Sequence, residues 1–209
     1  MQQTANTLTQ AEDSVRPIVP QKLAHVVIRT SRFAEMLDWY RTVLHAKTSY
    51  ENPVIAFLTY DDEHHRIALI NTPQFRAPDQ DYTGVDHVAF AYGSLHDLLS
   101  TYERLKSKGI VPFWCINHGP TTSMYYRDPD GNELELQVDN YEDVDEATAY
   151  FYSDAFAADP IGVDFDPDAL LAKLRAGVPV PELLRQGAAP VPAGSEYVYT
   201  KLPKPPANH

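Results

Sequence analysis

The alternation of apolar and polar residues predicts a first unit that contains one strand, one helix and three further strands. A short β-branched run predicts a strand over residues 23–28. After it, apolar residues recur three and four positions apart, which predicts a helix with Ser31 as a candidate N-cap. Three more strands are predicted at 48–50, 54–60 and 65–70, separated by polar turn residues.

The same order of elements is predicted a second time. Residues 85–90 form a strand pattern, and Ser94 with Asp97 has the spacing of a helix-capping box. Gly109 is expected to end the helix that follows. Strands are then predicted at 111–116, 121–127 and 132–138.

The two units are related by a constant offset of 62 residues. The aligned pairs include His25 with His87, Leu37 with Leu99 and Tyr40 with Tyr102. Several matches at one offset indicate an internal duplication. We therefore predict an α+β fold in which two tandem βαβββ modules form one concave sheet.

The sequence predicts four segments. They are an N-terminal arm at 1–21, the first module at 22–75, the second module at 82–138 and a proline-rich extension at 139–209. Within the extension, a short helix is predicted at 166–174, with Asp166 as its N-cap and Pro167 at its first position. Another short helix is predicted at 181–185. The extension is expected to cover the core or to join copies of the chain into a homo-oligomer.

Composition narrows the classes of function. Seventeen Lys and Arg against 29 Asp and Glu give a net charge of −12, which argues against nucleic-acid binding. The chain has no apolar run of membrane-spanning length and no apolar signal core, so we expect no membrane partner and a cytoplasmic location. Cys115 is the only cysteine, which excludes a thiolate zinc cluster. Any metal must be held by other side chains.

Strand parity places candidate metal ligands on one face of the predicted sheet. In the last strand, Glu133, Glu135 and Gln137 share one face, and the leucines and valine between them share the other. The apolar face must pack on the helices, so the carboxylates face a cavity. By the same alternation His25 and His87 point into that cavity. Two imidazoles and one carboxylate are a ligand set of Fe(II)-type ions with open coordination positions.

Other interpretations of these residues stay open. A single strand histidine is usually a hydrogen-bonded structural residue, and a single strand glutamate usually faces solvent. Glu133 shares the face of Glu135, and Asp86 adjoins His87 with the opposite parity. The combination is the stronger signal, because a buried carboxylate needs a compensating charge.

The sequence resembles the vicinal oxygen chelate superfamily, which includes glyoxalases, bleomycin resistance proteins and extradiol dioxygenases. The resemblance covers residues 22–138 and rests on His25, on His87 and on the run Asp-Pro-Asp-Gly-Asn-Glu-Leu-Glu from Asp128 to Glu135. Within the superfamily, the chain is most similar to single-domain type I extradiol dioxygenases such as 2,3-dihydroxybiphenyl dioxygenase. This resemblance implies a catechol-type substrate, O2 as co-substrate and Fe(II) bound by His25, His87 and Glu135. Mn(II) accepts the same ligands.

The resemblance also implies catalytic roles for three further residues. His65 matches the place of an acid–base histidine, and its pKa range suits proton transfer. Tyr125 lies ten residues before Glu135, as does a family tyrosine that hydrogen-bonds the bound substrate. His118 matches a second histidine of the same region.

Two alternative functions stay open for this fold. A glyoxalase-type lyase or isomerase typically takes a fourth ligand from the last strand of the first module, but residues 66–70 contain no carboxylate. A metal-free binding module would not need His25, His87 and Glu135 together. We therefore expect an extradiol dioxygenase.

Overall fold

The computed structural model describes residues 17–76 and 83–192 of the chain. Most of the expected arm at 1–21, the link at 77–82 and the end of the extension lie outside these residues. The fold is α+β, and the predicted order of strands and helices is confirmed in both modules.

The first module contains β1 (Val26–Thr30), α1 (Phe33–Leu44), β2 (Lys47–Glu51), β3 (Ile55–Thr59) and β4 (Ile67–Asn71). Its strands form a four-stranded sheet in the order β1-β4-β3-β2. The outer strand β1 runs parallel to β4, and the other pairs are antiparallel.

The second module contains β5 (His87–Ala91), α2 (Leu95–Lys106), β6 (Trp114–Asn117), β7 (Thr121–Arg127) and β8 (Glu133–Asp139). Its sheet has the order β5-β8-β7-β6-β9, in which β9 comes from the extension. The hydrogen-bonded strands thus form two sheets, one for each module. The predicted α+β fold of paired modules is confirmed, with the strands divided between two sheets where one concave sheet was expected.

Two local predictions for the first module are wrong at the residue level. The strand predicted from residue 23 begins at Val26, whose amide donates to the carbonyl of Arg66, just before β4. Ser31 does not cap α1. The N-cap is Arg32, which has no side-chain capping bond, and its amide instead donates to the hydroxyl of Thr30.

The second helix has the predicted cap. The Ser94 hydroxyl accepts from the Asp97 amide at 3.1 Å and donates to the Asp97 carboxylate at 2.7 Å. The apolar faces of both helices are buried in a core that is shared with the inner strands. Leu134, Leu136 and Val138 of β8 lie in this core, as parity predicts, so the alternate residues of β8 face away from the helices.

The extension continues the second module. It contains α3 (Val144–Tyr150), α4 (Asp154–Ala158), β9 (Val163–Asp164), α5 (Pro167–Arg175) and α6 (Val180–Leu183). The predicted cap of α5 is present, because the Asp166 carboxylate accepts from the amides of Asp168 and Ala169. Leu170 and Leu183 are buried in the main core, so the extension covers part of it. The sequence did not predict α3, α4 or β9.

No helix within the described ranges combines the length and the apolar character that crossing a bilayer requires.

A buried hydrogen bond joins the two modules. The Tyr40 hydroxyl of α1 donates to Asp128 Oδ2, in the turn before β8, at 3.1 Å. Tyr40 is 1% exposed and Asp128 is 4% exposed. Burial raises the pKa of Asp128, against hydrogen bonds from Asn132 and Tyr40. The same carboxylate holds the turn, because its Oδ1 accepts from the amides of Asp130 and Asn132.

We predict that Tyr40→Phe lowers the free energy of unfolding by about 1.5–3 kcal/mol, the usual range for a hydrogen bond to a charged group. Urea unfolding monitored by circular dichroism measures this loss. Tyr102→Phe is the matched control, because Tyr102 occupies the equivalent position but donates to Asp168, a solvent-exposed carboxylate. The control should lose less stability. Equal losses in the two variants would contradict a special role for the buried bond.

Candidate metal centre

A buried carboxylate and an imidazole face each other on the inner face of the second module. Glu135 of β8 is 5% exposed, and its Oε2 lies 3.1 Å from Nε2 of His87, the first residue of β5. Strands β5 and β8 are parallel neighbours, with Ala89 opposite Glu135, so His87 reaches along its strand to the carboxylate. Both groups are metal-binding types.

The two groups shift each other's pKa. The hydrogen bond to Glu135 raises the pKa of His87 to about 9, against the effect of burial, and a bond to Asp86 adds to the increase. Burial by itself raises the pKa of Glu135. The hydrogen bonds from His87 and Ser123 outweigh it, and the pKa is lowered. The pair is therefore a carboxylate balanced by an imidazolium.

The contacts distinguish Glu135 from the two alternative carboxylates. Glu133 accepts from Arg127, with Oε1 3.0 Å from Nη2, so a permanent cation already neutralises it. Asp86 lies on the other side of His87, with Oδ2 2.8 Å from Nδ1. That position orients the ring and leaves Nε2 directed at Glu135. Asp86 precedes the first residue of β5, so strand parity did not apply to it.

His25 and His65 form a second group, in the first module. His25 is exposed, one residue before β1, and its ring centroid is 4.3 Å from that of His65. His65 precedes β4 and stacks on Phe57 of β3, with centroids 4.6 Å apart. Burial, followed by the nearby His25 and His64, lowers the pKa of His65.

The structure brings two of the three predicted ligands into contact. Within residues 17–76 and 83–192, no three His, Cys, Asp or Glu side chains are grouped closely enough to hold an ion. His25 lies before its strand begins, so strand alternation does not fix its direction. The chemistry of the other two fits a metal, because a cation at Glu135 would replace the positive charge that His87 supplies there. The assignment of His25 as third ligand stays a prediction.

Tyr125 lies beside this pair. It is opposite Glu135 in the register of β7 and β8, and its ring meets that of His87 edge-on at 5.2 Å. Its hydroxyl is 3.0 Å from Nε2 of His118. The predicted site residues His87, Glu135, Tyr125 and His118 therefore form one connected group.

Two neighbours of Tyr125 were not predicted as site residues. Trp114 lies opposite Tyr125 in β6, and the two rings stack with centroids 4.7 Å apart. Asp164 of β9 accepts from the Trp114 indole at 2.8 Å. Strand parity assigns Trp114 to one face of β6 but does not predict which residues it contacts. Strand β9, which carries Asp164, has only two residues and is too short to show a strand pattern in the sequence.

Comparisons with known proteins show the family to which this chain belongs. The profile of the Glyoxalase/Bleomycin resistance protein/Dioxygenase superfamily matches residues 22–136. Over 160 residues the chain is 51% identical to biphenyl-2,3-diol 1,2-dioxygenase 2 of Rhodococcus globerulus, covering 76% of this chain and 84% of the relative. It is 45% identical over 167 residues to biphenyl-2,3-diol 1,2-dioxygenase 3 of the same organism, covering 79% and 88%.

Solved structures of similar proteins match the chain more weakly. A glyoxylase/bleomycin resistance protein/dioxygenase domain from Frankia sp. EAN1pec has a TM-score of 0.49 at 21% identity, covering 58% of this chain and 99% of that domain. The family profile and the two relatives carry the assignment. This chain belongs to the Glyoxalase/Bleomycin resistance protein/Dioxygenase superfamily.

Proposed function

We propose that this protein is an extradiol dioxygenase that opens the ring of a catechol-type diol with O2. The observation that carries the proposal is the His87–Glu135 pair beside Tyr125, in a chain 51% identical to a biphenyl-2,3-diol 1,2-dioxygenase. Both oxygen atoms of O2 enter the product, and the ring carbon bond next to the diol breaks. The product is a conjugated, yellow ring-opened acid.

We infer that Fe(II) is the metal and that His25, His87 and Glu135 hold it. Two neutral imidazoles and one carboxylate leave coordination positions open. Held by His25, His87 and Glu135, Fe(II) would supply the electron transfer between the diol and O2. His87 must give up its proton to become a ligand, so metal binding replaces one positive charge beside Glu135 with another.

The first module supports a site with three protein ligands. In the register of β5 and β8, Ala89 faces Glu135. The position equivalent to Ala89 is Val27, which lies opposite Ala68 in β4. Alanine therefore occupies the place where a symmetric module would carry a second carboxylate. The alanine side chain has no coordinating atom, so this position cannot supply the fourth protein ligand that is typical of glyoxalases.

The contacts of His65 support a role in moving a proton. It touches His25, a proposed ligand, and its lowered pKa keeps the ring neutral at pH 7, the form that accepts a proton. Stacking on Phe57 holds the ring in place. We infer that His65 takes a proton from a diol hydroxyl and that Tyr125 hydrogen-bonds the bound diol. The homo-oligomer and the cytoplasmic location stay predictions.

Oxygen uptake is the direct test of this function. Protein purified without air and loaded with Fe(II) is mixed with catechol, 3-methylcatechol or biphenyl-2,3-diol in an oxygen electrode, while visible absorbance is recorded. We expect one O2 consumed for each diol and a yellow product. Iron-loaded protein that consumes no O2 with any of the three diols would contradict the proposal. Zn(II) or Ni(II) loading with a hemithioacetal would then test the lyase alternative.

We predict that His25→Ala abolishes both iron binding and ring cleavage, because two remaining donors hold Fe(II) weakly. Metal analysis after gel filtration and oxygen uptake measure the two effects. His96→Ala is the control, since His96 is an exposed histidine on α2. The control should keep both properties. A His25→Ala protein that retains one iron per chain would remove His25 from the ligand set.

We predict that His65→Phe leaves iron and diol binding largely intact and slows turnover by roughly 10²–10⁴-fold, the usual contribution of an acid–base residue. The phenyl ring keeps the stacking on Phe57 and removes the proton acceptor. Stopped-flow turnover and anaerobic diol titration separate the two effects. His96→Phe, at an exposed position on α2, should have little effect. Native turnover in His65→Phe would exclude an acid–base role.

A further inference from the structure

The extension approaches the candidate centre along the edge of β6 that does not pair with β7. Strand β9 pairs with β6 in antiparallel register, with Asp164 opposite Ile116 and Val163 opposite Asn117. Gly162 makes this approach possible. Its φ is +114°, and an added Cβ would lie 2.3 Å from the Asn117 carbonyl oxygen. The backbone of residues 161–164 is thus held tightly against the strand that carries Trp114.

Two acceptors of this segment hold side chains that point toward the site. The Ile161 carbonyl accepts a hydrogen bond from Nδ1 of His118. The Asp164 carboxylate accepts from the Trp114 indole, with Oδ1 2.8 Å from Nε1. Trp114 is 4% exposed, so its only polar hydrogen depends on an internal acceptor.

Both of these side chains contact Tyr125. Trp114 stacks on the phenol ring at 4.7 Å, with an angle of 28° between the rings. His118 meets the hydroxyl at 3.0 Å. Tyr125 therefore contacts two side chains, Trp114 and His118, and the extension hydrogen-bonds both of them.

The Ile161 contact also sets the direction of the hydrogen bond at Tyr125. A carbonyl only accepts, so the proton of His118 is on Nδ1. In the neutral ring, Nε2 then accepts, and the Tyr125 hydroxyl is the donor. With His118 in this tautomer, the single proton of Tyr125 points toward His118, and the Tyr125 oxygen acts toward a bound diol as an acceptor.

We propose that Asp164 and the Ile161 carbonyl are positioning groups for Tyr125. They fix the plane of its ring through Trp114 and the direction of its hydroxyl proton through His118. The expected effect on turnover rests on the proposed function, because there the Tyr125 oxygen accepts a hydrogen bond from a hydroxyl of the diol. The structural part of the inference, the dependence of Tyr125 on the extension, does not require that function.

The test compares four variants of the 209-residue chain. Asp164→Leu removes the acceptor at similar size, and Asp164→Asn keeps a carbonyl oxygen for the indole. Asp168→Leu is the matched control, since this carboxylate of the extension binds Tyr102 and Lys106 and has no described contact with Tyr125. Trp114→Phe removes the indole donor of the same hydrogen bond, and it tests the link even if Asp164→Leu does not fold.

The first readout is NMR of the protein with ¹³C-labelled tyrosine rings, in which Tyr125→Phe identifies the Tyr125 signal. We expect Asp164→Leu and Trp114→Phe to shift this signal, and Asp164→Asn and Asp168→Leu to leave it nearly unchanged. The second readout is kcat and KM of the iron-loaded enzyme with biphenyl-2,3-diol. We expect Asp164→Leu to lower kcat by about 10–100-fold, the usual effect of losing an outer-shell partner, with a smaller change in KM.

The outcomes separate this inference from the proposed function. An unchanged Tyr125 signal in both Asp164→Leu and Trp114→Phe would overturn the positioning role, whatever the activity. A shifted Tyr125 signal together with an unchanged kcat would overturn the claim that this positioning contributes to the reaction. Native protein that consumes no O2 with the diol would contradict the proposed function, while the NMR comparison would still decide whether the extension positions Tyr125.

Discussion

The buried carboxylate of Glu135 is the constraint on which the site depends. A carboxylate that is 5% exposed carries a large desolvation cost unless positive charge lies beside it. His87 supplies that charge, and Asp86 supports the imidazolium from its far side. The chemistry of this pair fits a metal ion, because a divalent cation would meet the same electrostatic requirement more strongly and would let His87 become neutral.

Duplication followed by divergence explains why the site is asymmetric. Both modules place a histidine at or just before their first strand, and both place a strand parallel to it. In the second module the parallel strand carries Glu135, and in the first module the equivalent position is Ala68, which is 2% exposed. The inner face of the first module is correspondingly apolar, with Phe57 opposite Ala68. The second module therefore carries a buried charge at this place, and the first module carries an apolar pair at the equivalent place.

Within the two modules, the sequence was sufficient for the order of elements and for the face on which the residues of β8 lie. Parity placed Leu134 and Leu136 in the core and Glu135 opposite them, because a strand buried on one face has little freedom of register. Parity could not separate Glu133 from Glu135, since both share a face. The difference arises from Arg127, which lies opposite Glu133 on the neighbouring strand. Parity does not apply to Asp86 or His25, because both residues precede their strands.

The least predictable part of the site comes from the extension, and the reason is physical. A two-residue strand such as β9 has too few residues to show a hydrophobic period. Its pairing with β6 depends on the positive φ of Gly162 and on the absence of a side chain there. Without β9, the backbone of β6 would be an open sheet edge, and the buried Trp114 indole would lack the Asp164 acceptor. Covering that edge and holding Trp114 are consequences of the same short contact. Packing of the extension and orientation of Tyr125 are therefore one structural problem, and a change that loosens β9 should affect both together.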